Sequence, residues 1–322
     1  MSHFSFKRIE GSDCFQSEIP ASLAAVSRVL NFLSNAPSTI IKAQDHFPTG
    51  MNPWLKIIRP VNGIMGVVAT FISGFIGAGL HFVDFIRFVV IAAVAVFLVT
   101  SGGNIINDVV DVDTDRVNHP QRPLVTEQIS SNSAKTGVAV MFAAAIVISV
   151  ILISPLAGAV VVIAEAFLLG YELKTKKLGL SGNVMISVLV GLIFIFGGIA
   201  VNSIDRMLIL FLMATLANLS REVIKDIQDI KGDVDRMTLP KKRGIRFAAY
   251  FASASVILAV IISYFPYYLK IFGIYYLISV AFSDALFLAS VAMIPRDPGK
   301  SQQVSKLAMI IGLASFAVGG IS

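Results

Sequence analysis

The chain has 322 residues, of which 56% are hydrophobic and only 14% are charged, whereas about a quarter of the residues in an ordinary soluble domain are charged. This composition excludes a soluble globular protein, and the single cysteine, Cys14, excludes an internal disulfide. The formal net charge of +6 says little about function, because the basic residues are spread over loops while the acidic residues are clustered. We expect no nucleic-acid partner.

Residues 1–50 are predicted to be an N-terminal extension without a membrane span. They lack the basic flank, apolar core and cleavage site of a secretory signal. Residues 21–33 form either a short amphipathic helix on the membrane surface or part of an unstructured tail. A third interpretation is that Met51 is the true start. The remaining residues, 51–322, are predicted to form one membrane domain.

Apolar runs close to the ~20 residues that an α-helix needs to cross a bilayer recur through this domain. They predict an all-α polytopic bundle with these spans: 61–81, 87–107, 135–153, 156–172, 182–202, 207–225, 246–265, 270–293 and 304–321. With nine spans, all 26 basic residues except Arg87, Arg206 and Lys270 fall on one side of the membrane. Because basic residues concentrate on the cytoplasmic side, this count predicts a cytoplasmic N-terminus.

The second predicted span ends in a row of acidic residues. Asn104, Asn107 or Asp108, Asp111 and Asp115 are spaced by three or four positions, which places them on one face of a helix. The negative charges of such a row repel one another unless cations lie against them, and Mg²⁺ prefers oxygen ligands. An EF-hand loop is excluded because Arg116 and Arg122 stand where its Gly and Glu are required. A solvated helix end is the alternative interpretation of one such row.

A second acidic row ends the sixth predicted span, where Asp226, Asp229 and Asp233 again share a helical face. Two matched rows at the same side of the membrane disfavour the solvated-end interpretation. Mg²⁺ usually bridges carboxylates to substrate phosphates. We therefore expect chemistry on a diphosphate whose lipid tail lies among the helices, with the active site facing the cytoplasm of a multi-pass cell-membrane protein.

The two rows resemble the signatures of the UbiA-type intramembrane prenyltransferase family. The pattern Asn-Asp-x-x-Asp-x-x-x-Asp is matched by Asn107, Asp108, Asp111 and Asp115, and Asp-x-x-Asp-x-x-Gly-Asp by Asp226, Asp229, Gly232 and Asp233. The resemblance covers about 51–322. Within the family, the segments 59–62, 118–124 and 221–233 are most similar to archaeal digeranylgeranylglyceryl phosphate synthases.

This resemblance implies Mg²⁺-dependent transfer of a geranylgeranyl group from its diphosphate to geranylgeranylglyceryl phosphate, a lipid-phosphate acceptor, in archaeal ether-lipid synthesis. It implies that Asn107, Asp111 and Asp229 carry the reaction. The implied Mg²⁺ ligands are Asp108, Asp111, Asp115, Asp226, Asp229 and Asp233. The implied substrate-binding residues are Arg59, Asn62, Asn104, Arg122, Tyr171, Lys174, Lys177, Arg221 and Lys225.

Three alternatives stay open at this point. The family's Tyr-x-x-x-Lys element is matched only loosely, because lysines follow Tyr171 at positions 174, 176 and 177. Asn104 either orients a ligand or forms a hydrogen bond that packs helices. The acceptor can also be aromatic or a tetrapyrrole, and a cation transporter is the alternative outside the enzymes, although transporter sites usually lie near the membrane midplane.

Overall fold

The structure is a computed structural model that describes residues 50–230 and 236–320, and all of its regular elements in these ranges are helices. The predicted extension at 1–50 therefore lies outside the described residues, apart from Gly50. The helices are α1 Pro53–Ile58, α2 Pro60–Ala78, α3 Phe82–Val110, α4 Val112–Asn118, α5 Ser131–Leu152, α6 Pro155–Leu173, α7 Leu180–Ala200, α8 Ile204–Gln228, α9 Leu239–Arg243, α10 Ile245–Ser263, α11 Phe265–Tyr268, α12 Ile274–Met293 and α13 Pro298–Gly319. Two 3₁₀ turns, Gly79–His81 and Thr175–Leu178, follow α2 and α6.

The described part of the chain contains 8 helical segments that are long and apolar enough to cross a membrane. The first of them, Pro60–Val110, has 51 residues, far more than the ~20 that one crossing needs. It contains α2 and α3, and the 3₁₀ turn between them lets the two helices pack side by side. The all-α polytopic fold is thus confirmed, while the count of nine crossings and the cytoplasmic N-terminus stay predictions.

The helix ends differ from the predicted spans where polar residues continue a helix. Helix α13 begins at Pro298, six residues before the predicted span at 304–321, because the Asp297 side chain accepts a hydrogen bond from the Lys300 N–H at 2.9 Å and caps the helix. Helix α3 likewise runs to Val110 and so includes Asp108, which the predicted span at 87–107 left outside. Hydropathy locates the apolar stretch, whereas capping and helical hydrogen bonds determine where the helix begins and ends.

The bundle is built from two groups of helices. Helices α2, α3, α5, α6 and α7 pack on one another, as do α8, α10, α12 and α13. The groups meet where α7 packs along α8 and where α2 contacts α8 and α13. A core cluster at this junction includes Phe194, Met207, Tyr276 and Phe316. The ring centroid of Phe316 lies 6.3 Å from that of Phe194 and 6.0 Å from that of Tyr276.

Small residues let helices approach closely next to the acidic row on α3. A Cβ atom placed on Gly103 would lie 2.6 Å from Cδ2 of Leu168 on α6, so the Leu168 side chain occupies the space that glycine leaves. One turn further along each helix, Asn107 and Glu172 face each other. The packing of Leu168 against Gly103, a small residue of the kind common between membrane helices, therefore lies one turn from the contact between Asn107 and Glu172.

Candidate active site

The first acidic row meets three basic side chains in the structure. Arg59 donates to Asp108, Arg122 donates to Asp115 and also lies 3.2 Å from Asp108, and Lys176 lies 2.5 Å from Oδ2 of Asp111. Asp108 and Asp115 are buried, being 2% and 4% exposed. Buried carboxylates require such partners, because an uncompensated charge away from water is strongly unfavourable.

Arg59 is directed at the acidic row because the helix is interrupted at this residue. It is the single residue between α1 and α2, and its φ of 49° and ψ of 68° are left-handed, a conformation that costs roughly 1 to 2 kcal/mol for a residue with a side chain. Asn104 holds this break, because its Nδ2 donates to the Ile58 carbonyl at 2.9 Å and its Oδ1 accepts from Asn62 Nδ2 at 3.5 Å. The amide of Asn104 thus fastens α3 to the α1–α2 junction.

A buried carboxylate that sequence reasoning missed joins the row to α6. Glu172, in the last turn of α6, is 7% exposed and accepts hydrogen bonds from Asn107 and Lys176. Its neighbour Tyr171 packs against Gly182 on α7, where an added Cβ would lie 3.2 Å from Cε2 of the ring. Gly182 directly precedes Asn183, which bonds to Asp226 of the second row. The end of α6 therefore lies close to both acidic rows.

The second row lies at the same end of the bundle. Asp226 is 7% exposed, and its Oδ2 accepts a hydrogen bond of 2.7 Å from Nδ2 of Asn183 on α7. Asp229 follows as the partly buried residue that ends α8. Arg221, five residues before Asp226 on α8, donates to Asn218 and Glu222.

The chain after α6 decides which lysine enters the site. Lys174 ends α6 and is exposed, whereas the Lys176 side chain is only 8% exposed and reaches Asp111 and Glu172. A 3₁₀ turn from Thr175 changes the direction of the side chains between these two lysines. Gly179 fixes the far end of the turn: at φ 68°, a Cβ on it would lie 2.3 Å from the Met237 carbonyl oxygen.

The structure therefore brings together most of the predicted residues. Asp108 and Asp115 form one group with Arg59 and Arg122, and Asn107 and Asp111 form a second group with Glu172 and Lys176. In the second row, Asp226 bonds to Asn183, and Arg221 lies on the same helix. Lys174 and Lys225 are exposed. Asp233 and the Lys177 side chain lie outside the part of the chain that the structure describes. Lys176 is the one of the three lysines left open by the sequence that the structure places against the first row. The residues that sequence reasoning missed are Glu172, Asn183 and Asn218.

The donor groups of the two rows suit Mg²⁺ in their chemistry, since carboxylate and amide oxygens are its preferred protein ligands. Within 50–230 and 236–320, no group of three or more acidic, histidine or cysteine side chains converges into a preformed metal site. A magnesium ion does not need such a cage, because it is usually held by one or two carboxylates together with waters and substrate phosphates. The residues thus fit an ion that arrives with a phosphate-bearing substrate.

The sequence profile of the UbiA prenyltransferase family matches residues 67–314. The chain belongs to this family, and it is a multi-pass membrane enzyme that transfers prenyl groups. This confirms the predicted family and enzyme class. Proteins of the family bind prenyl diphosphates and are embedded in membranes.

Two relatives within the family are similar to this chain over most of its length. The chain is 38% identical over 282 residues to the digeranylgeranylglyceryl phosphate synthase of Methanocaldococcus jannaschii, covering 85% of this chain and 98% of the relative. It is 33% identical over 278 residues to the synthase of the same name from Methanosphaera stadtmanae, covering 84% and 100%.

Solved structures agree with this assignment of the fold. One from work on digeranylgeranylglyceryl phosphate synthase in membranes matches with a TM-score of 0.75 at 38% identity, covering 84% of this chain and 98% of the other. A UbiA homologue from Archaeoglobus fulgidus, solved with DMAPP and Mg²⁺, matches with a TM-score of 0.56 at 16% identity, covering 83% and 100%. At that identity the second likeness concerns the fold alone.

Proposed function

We propose that the protein transfers a geranylgeranyl group from geranylgeranyl diphosphate to the free hydroxyl of geranylgeranylglyceryl phosphate, giving digeranylgeranylglyceryl phosphate. The observation that carries this proposal is the pairing of acidic and basic side chains at one end of the bundle. Asp108, Asp111 and Asp115 each have a basic partner among Arg59, Arg122 and Lys176. Two phosphate-bearing substrates require such a site, since carboxylates can hold Mg²⁺ while the basic groups hold phosphate oxygens.

The roles of the individual residues follow from their places. Lys176 and Arg122 on the first row, with Arg221 and Lys225 beside the second, bind oxygens of the donor diphosphate. Arg59 and Asn62, at the α1–α2 junction, bind the phosphate of the acceptor, which an aromatic acceptor would not require. The donor's apolar tail lies among the helices, because the polar groups are gathered at one end.

The carboxylates that would hold Mg²⁺ are Asp108, Asp111 and Asp115 on the first row and Asp226, Asp229 and Asp233 on the second. Asn183 orients Asp226 through its side-chain amide. When bound, Mg²⁺ neutralises charge on the leaving diphosphate. Asp111 is more exposed than Asp108, Asp115 or Glu172, at 29% of its side chain, and so it is the carboxylate of the first row most open to an incoming ion.

The transfer breaks the allylic C–O bond, whose electron pair leaves with the diphosphate. The acceptor hydroxyl oxygen forms the new C–O bond with its own electron pair, and its proton passes to the released diphosphate. Lys176, Arg122 and Arg221 stabilise the departing negative charge by electrostatic contacts that grow as that charge develops. The buried setting of these groups strengthens their effect, since screening by water is weak there.

The test is transfer of labelled geranylgeranyl diphosphate by the purified protein in liposomes. The acceptor panel contains geranylgeranylglyceryl phosphate, an aromatic quinone precursor and a tetrapyrrole. We expect product only with the phosphorylated glycerol ether, and no transfer by Asp111→Ala or Asp229→Ala proteins that still insert. Transfer to an aromatic or tetrapyrrole acceptor alone would establish the second candidate function. Full activity of both variants would refute the site.

We also propose that the site faces the cytoplasm. The support is the distribution of basic residues, of which only Arg87, Arg206 and Lys270 fall on the opposite side in a nine-span arrangement. A reporter fused to the C-terminus is then expected outside the cytoplasm. A cytoplasmic reporter would contradict nine crossings. The placement of the acids at one end of the helices, together with the family, disfavours the cation transporter, whose site would lie near the midplane.

A further inference from the structure

Glu172 connects two residues of the proposed donor site that lie on different elements. Asn107 on α3 donates its Nδ2 to both carboxylate oxygens of Glu172, each at 3.1 Å. Lys176 in the 3₁₀ turn donates to Oε2 of Glu172 at 3.0 Å and to Oδ2 of Asp111 at 2.5 Å. Glu172 itself is buried in the last turn of α6.

The contact with Glu172 fixes which end of the Asn107 amide faces the acidic row. An ionised carboxylate only accepts hydrogen bonds, so Asn107 must present its NH₂ group to Glu172. Its Oδ1 is then directed away from Glu172. Asn107 directly precedes Asp108, and an amide oxygen at this place is a suitable hard ligand for a divalent cation, whereas an NH₂ group would repel one.

Glu172 also shares the ammonium group of Lys176 with Asp111. The Lys176 side chain is 8% exposed, so its charge is compensated by nearby carboxylates rather than by water. With two such partners, Lys176 is not committed to Asp111 alone. Without the charge of Glu172, Lys176 would pair only with Asp111 and compete with a cation for that carboxylate.

We propose that Glu172 is a positioning residue, which orients the Asn107 amide toward the divalent cation and holds the Lys176 ammonium ready for the donor diphosphate. The inference rests on the proposed function, since it names what prepares that same site. Groups that hold the ligands of a metal or a phosphate typically change affinity or activity by roughly 10- to 100-fold when they are removed. Glu172 contacts these residues and not the substrates.

The chain offers a matched control in Glu165. It lies seven positions earlier on α6, on the same buried face, is 6% exposed, and its Oε1 has no hydrogen-bond partner among the described residues. Glu172→Gln and Glu165→Gln therefore make the same isosteric change at comparable burial, one inside the network and one outside it. A general effect of losing a buried carboxylate on α6 would appear in both variants.

The experiment measures Mn²⁺ binding to the detergent-solubilised full chain by electron paramagnetic resonance, without any substrate. We expect Glu172→Gln to weaken Mn²⁺ binding about 10-fold or more and Glu165→Gln to leave it unchanged. In the transfer assay, Glu172→Gln is expected to raise the KM for the donor. Equal effects of the two variants, or no effect of Glu172→Gln on Mn²⁺ binding, would overturn the proposal.

Combined variants separate positioning from a merely structural role. If Glu172 acts through Asn107 and Lys176, then Glu172→Gln in a background that carries both Asn107→Ala and Lys176→Met should change Mn²⁺ binding by less than about threefold, because coupled residues are not additive. In a Lys176→Met background it should no longer raise the donor KM. Fully additive losses in both backgrounds would refute the proposal. Mn²⁺ binding does not depend on the acceptor, so a wrong acceptor would leave this result unaffected.

Discussion

Replacement of Lys176 by Met is the perturbation that most directly tests the site. The Lys176 ammonium group lies 2.5 Å from Asp111 and 3.0 Å from Glu172 with 8% of its side chain exposed. Loss of a charge-assisted contact of this kind to the donor diphosphate costs about 1.5 to 3 kcal/mol, which corresponds to roughly a 10- to 150-fold weaker interaction. We expect the donor KM to rise, or kcat/KM to fall, within that range.

The matched control is Lys174→Met, because Lys174 is exposed and two positions away. Substitutions at exposed positions usually change stability by no more than about 0.5 kcal/mol, so its kinetics should stay near those of the unchanged protein. Removing Lys176 also leaves the buried Glu172 and the partly exposed Asp111 without this cation, and breaking a buried ion pair can lower stability by roughly 3 to 5 kcal/mol. Lys176→Arg keeps the positive charge and distinguishes that loss of stability from loss of donor binding.

The assay is steady-state transfer of labelled geranylgeranyl diphosphate in liposomes, with the amount of folded protein measured for each variant. Lys176→Met is expected to impair donor use strongly, Lys176→Arg partly, and Lys174→Met hardly at all. A loss in Lys174→Met that equals or exceeds the loss in Lys176→Met would refute the assignment of this lysine.

Three further outcomes are expected. Gly179→Ala should lower the melting temperature more than Gly79→Ala. Both positions have positive φ, which costs roughly 1 to 3 kcal/mol for alanine. Only at Gly179 would the new Cβ also lie 2.3 Å from a backbone oxygen. Equal decreases would contradict the importance of that contact. Asn183→Ala leaves buried Asp226 without its bond of 2.7 Å, a loss of about 1 to 3 kcal/mol, and should lower kcat/KM, whereas Ser181→Ala, at an exposed position on the same helix, should not. Removal of divalent cations with a chelator should abolish transfer and added Mg²⁺ should restore it; activity insensitive to the chelator would exclude a role for the ion.

The sequence by itself determined the class of fold and the two acidic rows. Apolar length reports the crossing of a bilayer directly, because the requirement is set by membrane thickness. Spacings of three and four likewise place Asp111 and Asp115 on one helical face without further information. The predicted ends of helices were less accurate: α13 begins at Pro298 because Asp297 caps it, and hydropathy does not detect a capping residue.

Tertiary structure alone decided which residues complete the site. The choice of Lys176 over Lys174 depends on the 3₁₀ turn after α6 and on Gly179, which packs against a segment far along the chain. Glu172 and Asn183 lie in the site because they bond to Asn107 and Asp226, which are 65 and 43 positions away along the chain. Periodicity describes one helix at a time, so contacts between helices, such as the packing of Leu168 against Gly103, could be known only from the folded bundle.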